Sequence, residues 1–395
     1  RFKCDWSSDV CSSDLEIVLR FISKRLRPGG IVYISYNCAV GWSPLAPLRK
    51  LIQEQAESST GGREEQIRQA LALAKDMIAS DARYFRQVPG TLDRIETMGR
   101  DAPGYIAHEF LGREWHPYYF ADLARELWDV KLSFAASATL TEHVDPLNLS
   151  AEQQSLLDKI TDTNRRESLR DFMVGQHFRR DIFVRGPRKL GVARRAQLLS
   201  AFRFALIIDP NAFVPELKVV NGMTQLPVQL YGPVVRRMAN GPVRLADLMA
   251  DPGCSGIGAP VLMQILIVLA GSGQASLCLP EQGYDVRQAR AAAFNKALFE
   301  EPDMTGKLYF ASPLLGGGVP TEWLTVTFLG AFERGIDPVD LAWGRLRDNN
   351  QRLVHEGRSL RTEAENREEL ARRLEQFLGR ERPRLKALGV STVPN

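Results

Sequence analysis

The stretch LRPGGIVYISYNCAVGW, residues 26–42, decides the fold class of this chain. A Pro-Gly-Gly break precedes an uninterrupted run of strand-forming residues, and Asn37 ends that run. Because residues 31–36 do not alternate between apolar and polar, they predict a strand buried on both faces, as in a parallel sheet. A helix that leads through glycines into such a strand is typical of a doubly wound α/β domain. The residues before the strand do not supply the further parallel strands that this domain needs.

The 395-residue chain has the composition of a soluble globular protein and is long enough for two or three domains. Hydrophobic residues make up 44% of the sequence and charged residues 25%, which are ordinary proportions. No apolar run approaches the roughly 18–20 residues that a membrane-spanning helix requires, so no association with a membrane is expected. The amino-terminal residues also lack the pattern of a secretory signal.

The first fifteen residues, RFKCDWSSDVCSSDL, differ in pattern from the rest of the chain. They repeat Ser-Ser-Asp, show no helical or strand periodicity, and join abruptly to an amphipathic run. The stretch resembles translated sequencing-adapter read-through. Residues 1–15 are therefore interpreted as an artefactual leader and excluded from the fold prediction, and a natural disordered leader is the alternative.

Excluding this leader changes the charge and the cysteine count. Its two basic and three acidic residues sum to −1, so the formal net charge of +4 becomes about +5. Cysteines 38, 254 and 278 remain, and they form neither a disulfide framework nor a metal-ligand spacing. A cytoplasmic protein in a reducing compartment is therefore expected. The histidines show no ligand spacing either, so no metal site is predicted.

Apolar periodicity predicts a mostly helical chain around a few strands. Helices are predicted at residues 16–27, 48–57, 64–80, 92–98, 119–128, 228–239, 245–250, 260–270 and 363–378. Further strands are predicted at residues 131–138, 181–185, 217–220 and 274–279. The first two of these are expected to pair and complete the sheet begun by residues 31–36. The order of helix, short helix, helix and strand over residues 228–279 is that of a winged-helix domain.

Several of these segments resemble known sequences. LRPGGIVYISYN resembles the fifth strand of a class I S-adenosylmethionine-dependent methyltransferase, FADLARELWDVKLSFAASA the helix and strand that follow it, and FRRDIFVRG the final antiparallel strand. More specifically, AHEFLGREWHPYYFADLA and LRDFMVGQHFRRDIFVRG resemble the predicted methyltransferase regulatory domain of bacterial methyltransferases. SPLLGGGV and RLVHEG resemble the carboxyl-terminal region of the same family. The resemblance implies S-adenosylmethionine as the cofactor and leaves the methyl acceptor unknown.

The resemblance also implies a domain order. The fold class is α/β: the carboxyl-terminal part of a Rossmann-like methyltransferase sheet, followed by a winged-helix-like and a mainly helical region. After the leader (1–15), the predicted domains are the back half of the methyltransferase domain with a helical insertion (16–103), the methyltransferase regulatory domain with the last sheet strands (104–188), a winged-helix-like domain (200–285) and a helical carboxyl-terminal region (286–395).

The sequence departs from the methyltransferase pattern at the cofactor site. Such enzymes hold the cofactor with a Gly-rich loop after the first strand and an acidic side chain after the second. Neither precedes Ile31, and SPLLGGGVP (312–320) is interpreted as a loop without a cofactor role because no buried strand precedes it. We therefore expect an amino-terminally truncated enzyme, inactive alone, in which no residue of this chain is assigned to the cofactor.

Candidate site residues occur at two places. Tyr36 and Asn37 lie at the carboxyl end of the predicted strand, where doubly wound folds bind ligands, and Trp42 follows in a tight loop. All three are predicted to bind substrate. A strand-end turn is the alternative. His108 and Glu109 are catalytic candidates, since a neutral imidazole would accept a proton from the methyl acceptor and a carboxylate would orient it. A solvated pair on a helix surface is the alternative.

A basic stretch offers a further interaction surface. It comprises Arg165, Arg166, Arg170, Arg179, Arg180, Arg185, Arg188, Lys189, Arg194 and Arg195. Such a stretch suits an acidic partner or nucleic acid. Because Glu167, Asp171 and Asp181 are interleaved with it, a solvated, salt-bridged face is the favoured interpretation.

Three functions remain open: a methyltransferase, a non-catalytic regulatory or interaction module for a separate methyltransferase, and a winged-helix DNA-binding regulator. A recognition helix needs donors for base edges and phosphates. The corresponding segment, APVLMQILIVLA, has one Gln and no Lys or Arg. Nucleic-acid binding is therefore disfavoured, and this helix is predicted to be buried by packing or by self-association.

Overall fold

The computed structural model describes residues 2–5, 12–88, 90–99, 106–107, 110–112, 115–219, 222–300, 304 and 306–390. Its chain divides into two compact units. One comprises Arg1–Lys189 with Lys218–Gly222, and the other comprises Leu190–Leu217 with Met223–Asn395.

The first unit is built from one sheet and a set of helices. Its strands are β1 Phe2–Asp5, β2 Ile31–Asn37, β3 Leu132–Ser137 and β4 Phe178–Arg185. Its helices include α1 Ser12–Arg25, α2 Ala39–Trp42, α3 Ala46–Ser58, α4 Arg63–Ala79, α5 Arg83–Gln87, α6 Thr91–Met98, α7 Phe120–Asp129, α8 Asp145–Asn148, α9 Ala151–Leu157 and α10 Thr163–Val174.

The four strands lie in the order β1-β2-β4-β3. β1 pairs parallel with β2, whereas β4 lies between β2 and β3 and is antiparallel to both. The register of β2 and β4 runs from the pair Ile31 and Val184 to the pair Asn37 and Phe178. The prediction that the strands at residues 131–138 and 181–185 pair and extend the sheet of residues 31–36 is confirmed.

One face of β2 forms the centre of the sheet core. Val32, Ile34 and Tyr36 alternate along the strand and are at most 1% exposed. They pack in one cluster with apolar residues of α1 and α7. The predicted burial of both faces holds only toward the carboxyl end, because Ile31 on the opposite face is 53% exposed. The first residue of β2 is therefore exposed to solvent on this face of the sheet.

A helical subdomain follows β2, as the periodicity of the sequence predicts. Helices α3, α4 and α6 share a core with Trp42 and Phe110. Ile67, Leu71 and Ala74 of α4 are buried in it at helical spacing. The predicted helices at 48–57, 64–80 and 92–98 are confirmed to within two residues at each end.

Residues 2–5 and 12–15, which the sequence interpretation set aside as part of an artefactual leader, lie in elements of structure. β1 pairs with β2 in a register that matches Phe2 with Val32 and Asp5 with Ser35. α1 begins at Ser12, before the predicted start at residue 16. A four-residue strand is too short to show periodicity. Ser and Asp favour the start of a helix, and a search for apolar periodicity does not detect this preference.

From residue 190 onward the chain is helical with short strands. The strands are β5 Phe204–Leu206, β6 Glu216–Val219, β7 Gly222–Gln225, β8 Ala275–Leu277, β9 Leu308–Ala311, β10 Gly318–Thr321, β11 Val354–His355 and β12 Arg358–Ser359. The helices are α11 Val192–Ser200, α12 Val228–Ala239, α13 Leu245–Met249, α14 Ala259–Gly271, α15 Tyr284–Glu300, α16 Trp323–Arg334, α17 Pro338–Asp348, α18 Glu363–Gln376 and α19 Arg382–Ala387, with a π-helix at Phe377–Glu381.

The core of the second unit forms around α16 and α17. Phe310, Val326 and Leu329 are fully buried there. α14 buries Leu262 and Leu266, so the prediction that this helix is buried is confirmed.

The prediction that residues 312–320 form a loop is wrong for their carboxyl end. Gly318 begins β10, which pairs antiparallel with β9 and places Val319 opposite Phe310. Gly and Pro usually mark turns, so the sequence of these residues does not indicate the short strand that they form. The carboxyl-terminal region that was predicted to be mainly helical therefore contains two antiparallel strand pairs, β9 with β10 and β11 with β12.

Candidate functional site

The chain that follows β2 is held by main-chain hydrogen bonds to the loop before β4. The Cys38 N–H donates to the carbonyl of His177 at 2.8 Å, and the Gly41 N–H donates to the carbonyl of Gln176 at 2.9 Å. A Cβ at Gly41 would lie 2.6 Å from that Gln176 oxygen and 2.7 Å from the His177 ring. Only glycine allows this approach.

A second segment binds the same stretch from the loop before α7. The Tyr118 N–H donates to the Asn37 carbonyl, and the Ala39 N–H donates to the Tyr118 carbonyl, both at 2.9 Å. We call these four main-chain bonds the β2 clamp. They hold residues 37–41 at the carboxyl end of β2, the edge at which doubly wound sheets bind ligands.

Side chains beneath the clamp form a buried ionic network, which we call the Arg179 cluster. It consists of Tyr36, Cys38, Glu167, Asp171, Arg179 and Asp181. The Arg179 guanidinium pairs with Asp171 at 2.5 Å, with Asp181 at 2.8 Å and with Glu167 at 2.9 Å. It also lies 4.3 Å from the centre of the Phe120 ring.

The cluster ties the last residues of β2 to β4 and α10. The Tyr36 hydroxyl donates to Asp181 at 2.7 Å, and the Cys38 thiol donates to Asp171 at 3.5 Å. Tyr36, Asp171, Arg179 and Asp181 are each at most 2% exposed. Arg179 and Asp181, alternate residues of β4, therefore carry a buried ion pair on the sheet face that also holds Tyr36 of β2.

Burial controls the protonation of the cluster. Removal from water raises the pKa of Asp171 to about 6, although the Arg179 charge opposes this rise. Burial likewise raises the pKa of Asp181, where Arg179 again opposes it. Burial, with the charge of Asp171, raises the pKa of Cys38 to about 12. The thiol therefore stays protonated at neutral pH and acts as a hydrogen-bond donor, not as a nucleophile.

The interpretation of the basic stretch as a solvated face is wrong for two of its members. Arg179 is 2% exposed and Arg170 is 3% exposed. Arg170 donates to the Glu142 carbonyl and lies 3.8 Å from Asp145. A charge pattern alone does not separate solvated from buried ion pairs, because the interleaved acids that neutralise a surface also satisfy charges in a core.

Aromatic and cationic side chains meet beyond the clamp. The Trp42 ring centroid lies 5.3 Å from that of Trp115 and 5.7 Å from that of Phe110. The Arg49 guanidinium lies 4.6 Å from the Trp115 centroid, and that of Arg94 lies 5.7 Å from the Trp42 centroid. Among the described residues, the buried Nε of Arg94 and Nε1 of Trp115 have no hydrogen-bond partner.

The structure brings the three predicted substrate-binding residues together but buries them. Tyr36 is 1%, Trp42 4% and Asn37 7% exposed. The Tyr36 hydroxyl is bound to Asp181, and Trp42 packs among aromatic rings. Their role in substrate binding stays a prediction. The catalytic candidates His108 and Glu109 lie outside the described residues.

Sequence reasoning missed the Arg179 cluster and the two arginines near Trp42. One signal was present: Arg179, Asp181 and Phe183 alternate in FRRDIFVRG, and they share one face because the strand begins at Phe178, before the predicted strand at 181–185. A charged pair on the same face as a buried Phe indicates an internal ion pair. No comparable signal marks Arg49 and Arg94, which lie on separate helices.

Other site types find no support in the part of the chain that the structure describes. Within that part, no group of three or more His, Cys, Asp or Glu side chains is arranged to hold a metal ion. Cys38, Cys254 and Cys278 are free thiols. No helix among the described residues is long and apolar enough to cross a membrane.

Comparison with known proteins gives this geometry a family context. The family model described as a predicted methyltransferase regulatory domain matches residues 102–185. That range contains β3, β4 and the residues that bond to residues 37–41 in the β2 clamp, namely Tyr118, Gln176 and His177. Two structures of PKMT2 from Rickettsia typhi, one in complex with AdoHcy, match with TM-scores of 0.64 and 0.65 at 16% and 17% identity. Each match covers 98% of this chain and 80% of the other, which shows a shared fold.

Two relatives are similar in sequence. The uncharacterised protein RP789 of Rickettsia prowazekii is 22% identical over 218 residues, which cover 54% of this chain and 39% of that protein. The uncharacterised protein sll1526 of Synechocystis sp. is 35% identical over 377 residues, which cover 95% of this chain and 74% of that protein. The chain therefore belongs to the same family as Synechocystis sll1526, and its predicted methyltransferase regulatory domain makes it a methyltransferase-related protein.

Proposed function

We propose that the protein is an S-adenosylmethionine-dependent methyltransferase whose acceptor side includes residues 37–42. The observation that carries this proposal is the sheet: antiparallel β4 is inserted between β2 and β3, within a fold shared with PKMT2. In this proposal β2 is the fifth strand of a methyltransferase sheet, and β3 and β4 are its last two strands. The order of α12, α13, α14 and β8 supports a winged-helix-like arrangement after it.

The proposed methyl donor follows from chemistry. AdoHcy, present in one PKMT2 structure, is what S-adenosylmethionine becomes when it gives up its methyl group. We assign no residue of this chain to the cofactor. Methyl transfer is a displacement at a cationic sulfonium, so holding the acceptor in line contributes much of the rate. An acceptor that must lose a proton also needs a base, for which His108 and Glu109 remain the candidates.

The acceptor side is proposed at the clamped end of β2. Asn37 and Trp42 would form its wall, and the Arg179 cluster would fix the position of that wall from below. Acceptors of several classes remain open: a small molecule, a protein side chain and a component of the cell envelope.

The test is a transfer assay with S-adenosylmethionine labelled in its methyl group. It incubates the full-length protein with the labelled cofactor and cell extracts. We expect label transfer to a component of the extract. Absence of transfer would overturn the proposal.

The acceptor wall is tested in the same assay. Trp42→Phe keeps a ring that packs against Phe110 but alters the wall, and we expect it to lower transfer at least tenfold, the effect of a misplaced reactant. Trp128→Phe is the matched control, because Trp128 is 66% exposed on α7. Equal activity of the two variants would remove Trp42 from the site.

A second candidate function is a non-catalytic module that regulates a separate methyltransferase. The burial of Tyr36 and Trp42 favours it, since these two side chains expose almost no surface to an acceptor. This candidate predicts that the present chain binds a catalytic partner and changes its transfer rate, with no calorimetric signal from S-adenosylmethionine alone. A third candidate, the DNA-binding regulator, requires steeply salt-dependent binding of duplex DNA.

A further inference from the structure

His177 lies beside the carboxyl end of β2, directly before the first residue of β4. Its main-chain carbonyl accepts from the Cys38 N–H at 2.8 Å, so the β2 clamp fixes its backbone. Its ring lies against the main chain of Gly41, where a Cβ would come within 2.7 Å of the ring atoms Cγ and Nδ1. The residue is nonetheless exposed. The clamp therefore presents an imidazole to solvent at the strand end where the acceptor side is proposed.

The surroundings of this ring keep it uncharged. Removal of part of the ring from water lowers the pKa of His177 below its ordinary value. A hydrogen bond with the Gly175 main chain opposes this change, and the positive charge of Arg94 adds to it. At neutral pH the imidazole is therefore neutral and has a lone pair that can accept a proton.

The hydrogen bond with Gly175 also decides which ring nitrogen is free. Because this bond favours the protonated ring, the ring donates and the Gly175 carbonyl accepts. A neutral imidazole has one N–H and one lone pair. With the N–H bound to the carbonyl, the lone pair lies on the other nitrogen. A main-chain carbonyl that fixes the tautomer in this way is a common feature of histidines that act as bases.

The buried groups at the same strand end are not available as bases. The Tyr36 hydroxyl is buried and already donates to a carboxylate. The Cys38 thiol is buried, and its pKa is raised to about 12, so it keeps its proton at neutral pH. Asp171 is 1% exposed and is engaged in an ion pair. His177 differs from these three side chains because an acceptor in solvent can reach it.

We propose that His177 is the catalytic base of the methyl transfer, an inference that rests on the function proposed above. The free ring nitrogen takes the proton that the acceptor loses, and the acceptor's lone pair forms a bond to the methyl carbon. The bond between that carbon and sulfur breaks, and its electron pair stays on the sulfur, which becomes uncharged. The imidazolium then releases its proton to solvent. His177 thus joins His108 and Glu109 as a candidate base, and the structure gives its position.

The first experiment is the labelled transfer assay on the full-length protein and its variants. We expect His177→Gln to lower transfer at least about 100-fold, as loss of a general base does. His116→Gln is the matched control, because His116 is also exposed and its ring lies 5.0 Å from that of Tyr118 in the other segment of the clamp. Undiminished transfer by His177→Gln would overturn this inference alone, whereas absence of transfer by the wild type would overturn the proposed function.

The pH dependence of the transfer rate separates a base from a structural role. Raising the pH from about 7 to about 10 removes the acceptor's proton without help from the protein. We therefore expect the ratio of the wild-type rate to the His177→Gln rate to fall as the pH rises. A ratio that stays constant over this range would overturn the inference, because a structural defect does not depend on the acceptor's proton.

NMR spectroscopy of the histidine rings tests the same residue without the cofactor. The protein is isotope-labelled in its histidines and titrated with acid, and the His177 signal is the one that His177→Gln lacks. We expect the pKa of His177 to lie below the ordinary value, because its ring is partly removed from water and lies in the field of Arg94. A His177 ring that is still protonated at neutral pH would overturn the inference, since it could not accept a proton.

Discussion

Gly41 shows most directly how one residue constrains the backbone after β2. Its missing side chain lets the chain after β2 approach the Gln176 carbonyl, and a Cβ there would lie 2.6 Å from that oxygen. We expect Gly41→Ala to lower the free energy of unfolding by about 1–3 kcal/mol, the usual cost of overpacking. Chemical denaturation of the purified variant measures this loss.

Gly344→Ala is the control for that measurement. It also replaces a glycine in a helix, but its Cβ meets nothing within 4 Å. Its expected effect is neutral or stabilising by up to about 1 kcal/mol. Equal stabilities of the two alanine variants would show that the close approach at Gly41 relaxes without cost.

Asp171 predicts a pH dependence of stability. Burial raises its pKa from 3.8 to about 6, so the folded state binds this proton more tightly than the unfolded chain does. The stabilisation from this group is fully present below pH 3.8 and is lost as the pH rises through about 6. Denaturation of wild type and Asp171→Asn between pH 4 and pH 7 measures it, since the variant does not titrate at this position.

The wild type is expected to lose stability relative to Asp171→Asn across that window, by roughly 2–3 kcal/mol. Asp158→Asn, at an exposed position, is the control and should follow the wild type. A difference between wild type and Asp171→Asn that stays constant with pH would contradict the raised pKa.

At the residue scale, the sequence predicts where a residue lies along a strand or helix better than it predicts how deeply that residue is buried. Tyr36, Asn37 and Trp42 do lie at the end of a strand, as the run of strand-forming residues predicts. Their burial depends on residues 118 and 176–177, which are distant in the chain and bring in the β2 clamp. Local sequence patterns do not indicate contacts between distant residues, so neither the β2 clamp nor the Arg179 cluster could be derived from them.

At the scale of elements, helices bounded by clear start and stop residues were predictable. α12 spans Val228–Ala239, the predicted residues, because Pro227 precedes it and Asn240-Gly241 ends it. Short strands were not: β5 has three residues, and β10 begins with Gly and contains Pro. Pairing with a distant strand, not intrinsic preference, creates such elements.

The capping box of α18 gives a prediction at this scale. The Thr362 hydroxyl accepts from the Glu365 N–H, and the Glu365 carboxylate accepts from the Thr362 N–H. We expect Thr362→Ala to lower the free energy of unfolding by about 0.5–2 kcal/mol, the typical cost of losing a cap. Thr362→Ser, which keeps the hydroxyl, should stay near the wild type in the same denaturation series, and a loss as large as that of alanine would exclude the cap as the cause.

For the whole molecule, the exposed stretch at residues 186–202 predicts where proteases act first. It contains Arg188, Lys189, Arg194 and Arg195, and α11 within it buries no residue. We expect limited trypsin digestion to begin there, because exposed chain with few contacts opens most readily. Mass spectrometry of early fragments identifies the cuts. Replacing the four residues by Gln should remove the early cleavage, and first cuts inside α16 or α18 would contradict this prediction.

The β2 clamp has a consequence for how this family can diverge. Its four bonds join main-chain N–H groups to main-chain carbonyls, so they do not depend on which side chains occupy residues 37, 38, 39, 118, 176 and 177. Substitution at these positions can alter the chemistry at the strand end while the backbone stays attached to both loops. Glycine at position 41 is the exception, since there the backbone contact itself excludes a side chain. Side chains at this end of β2 can therefore change without rebuilding the connection to residues 102–185.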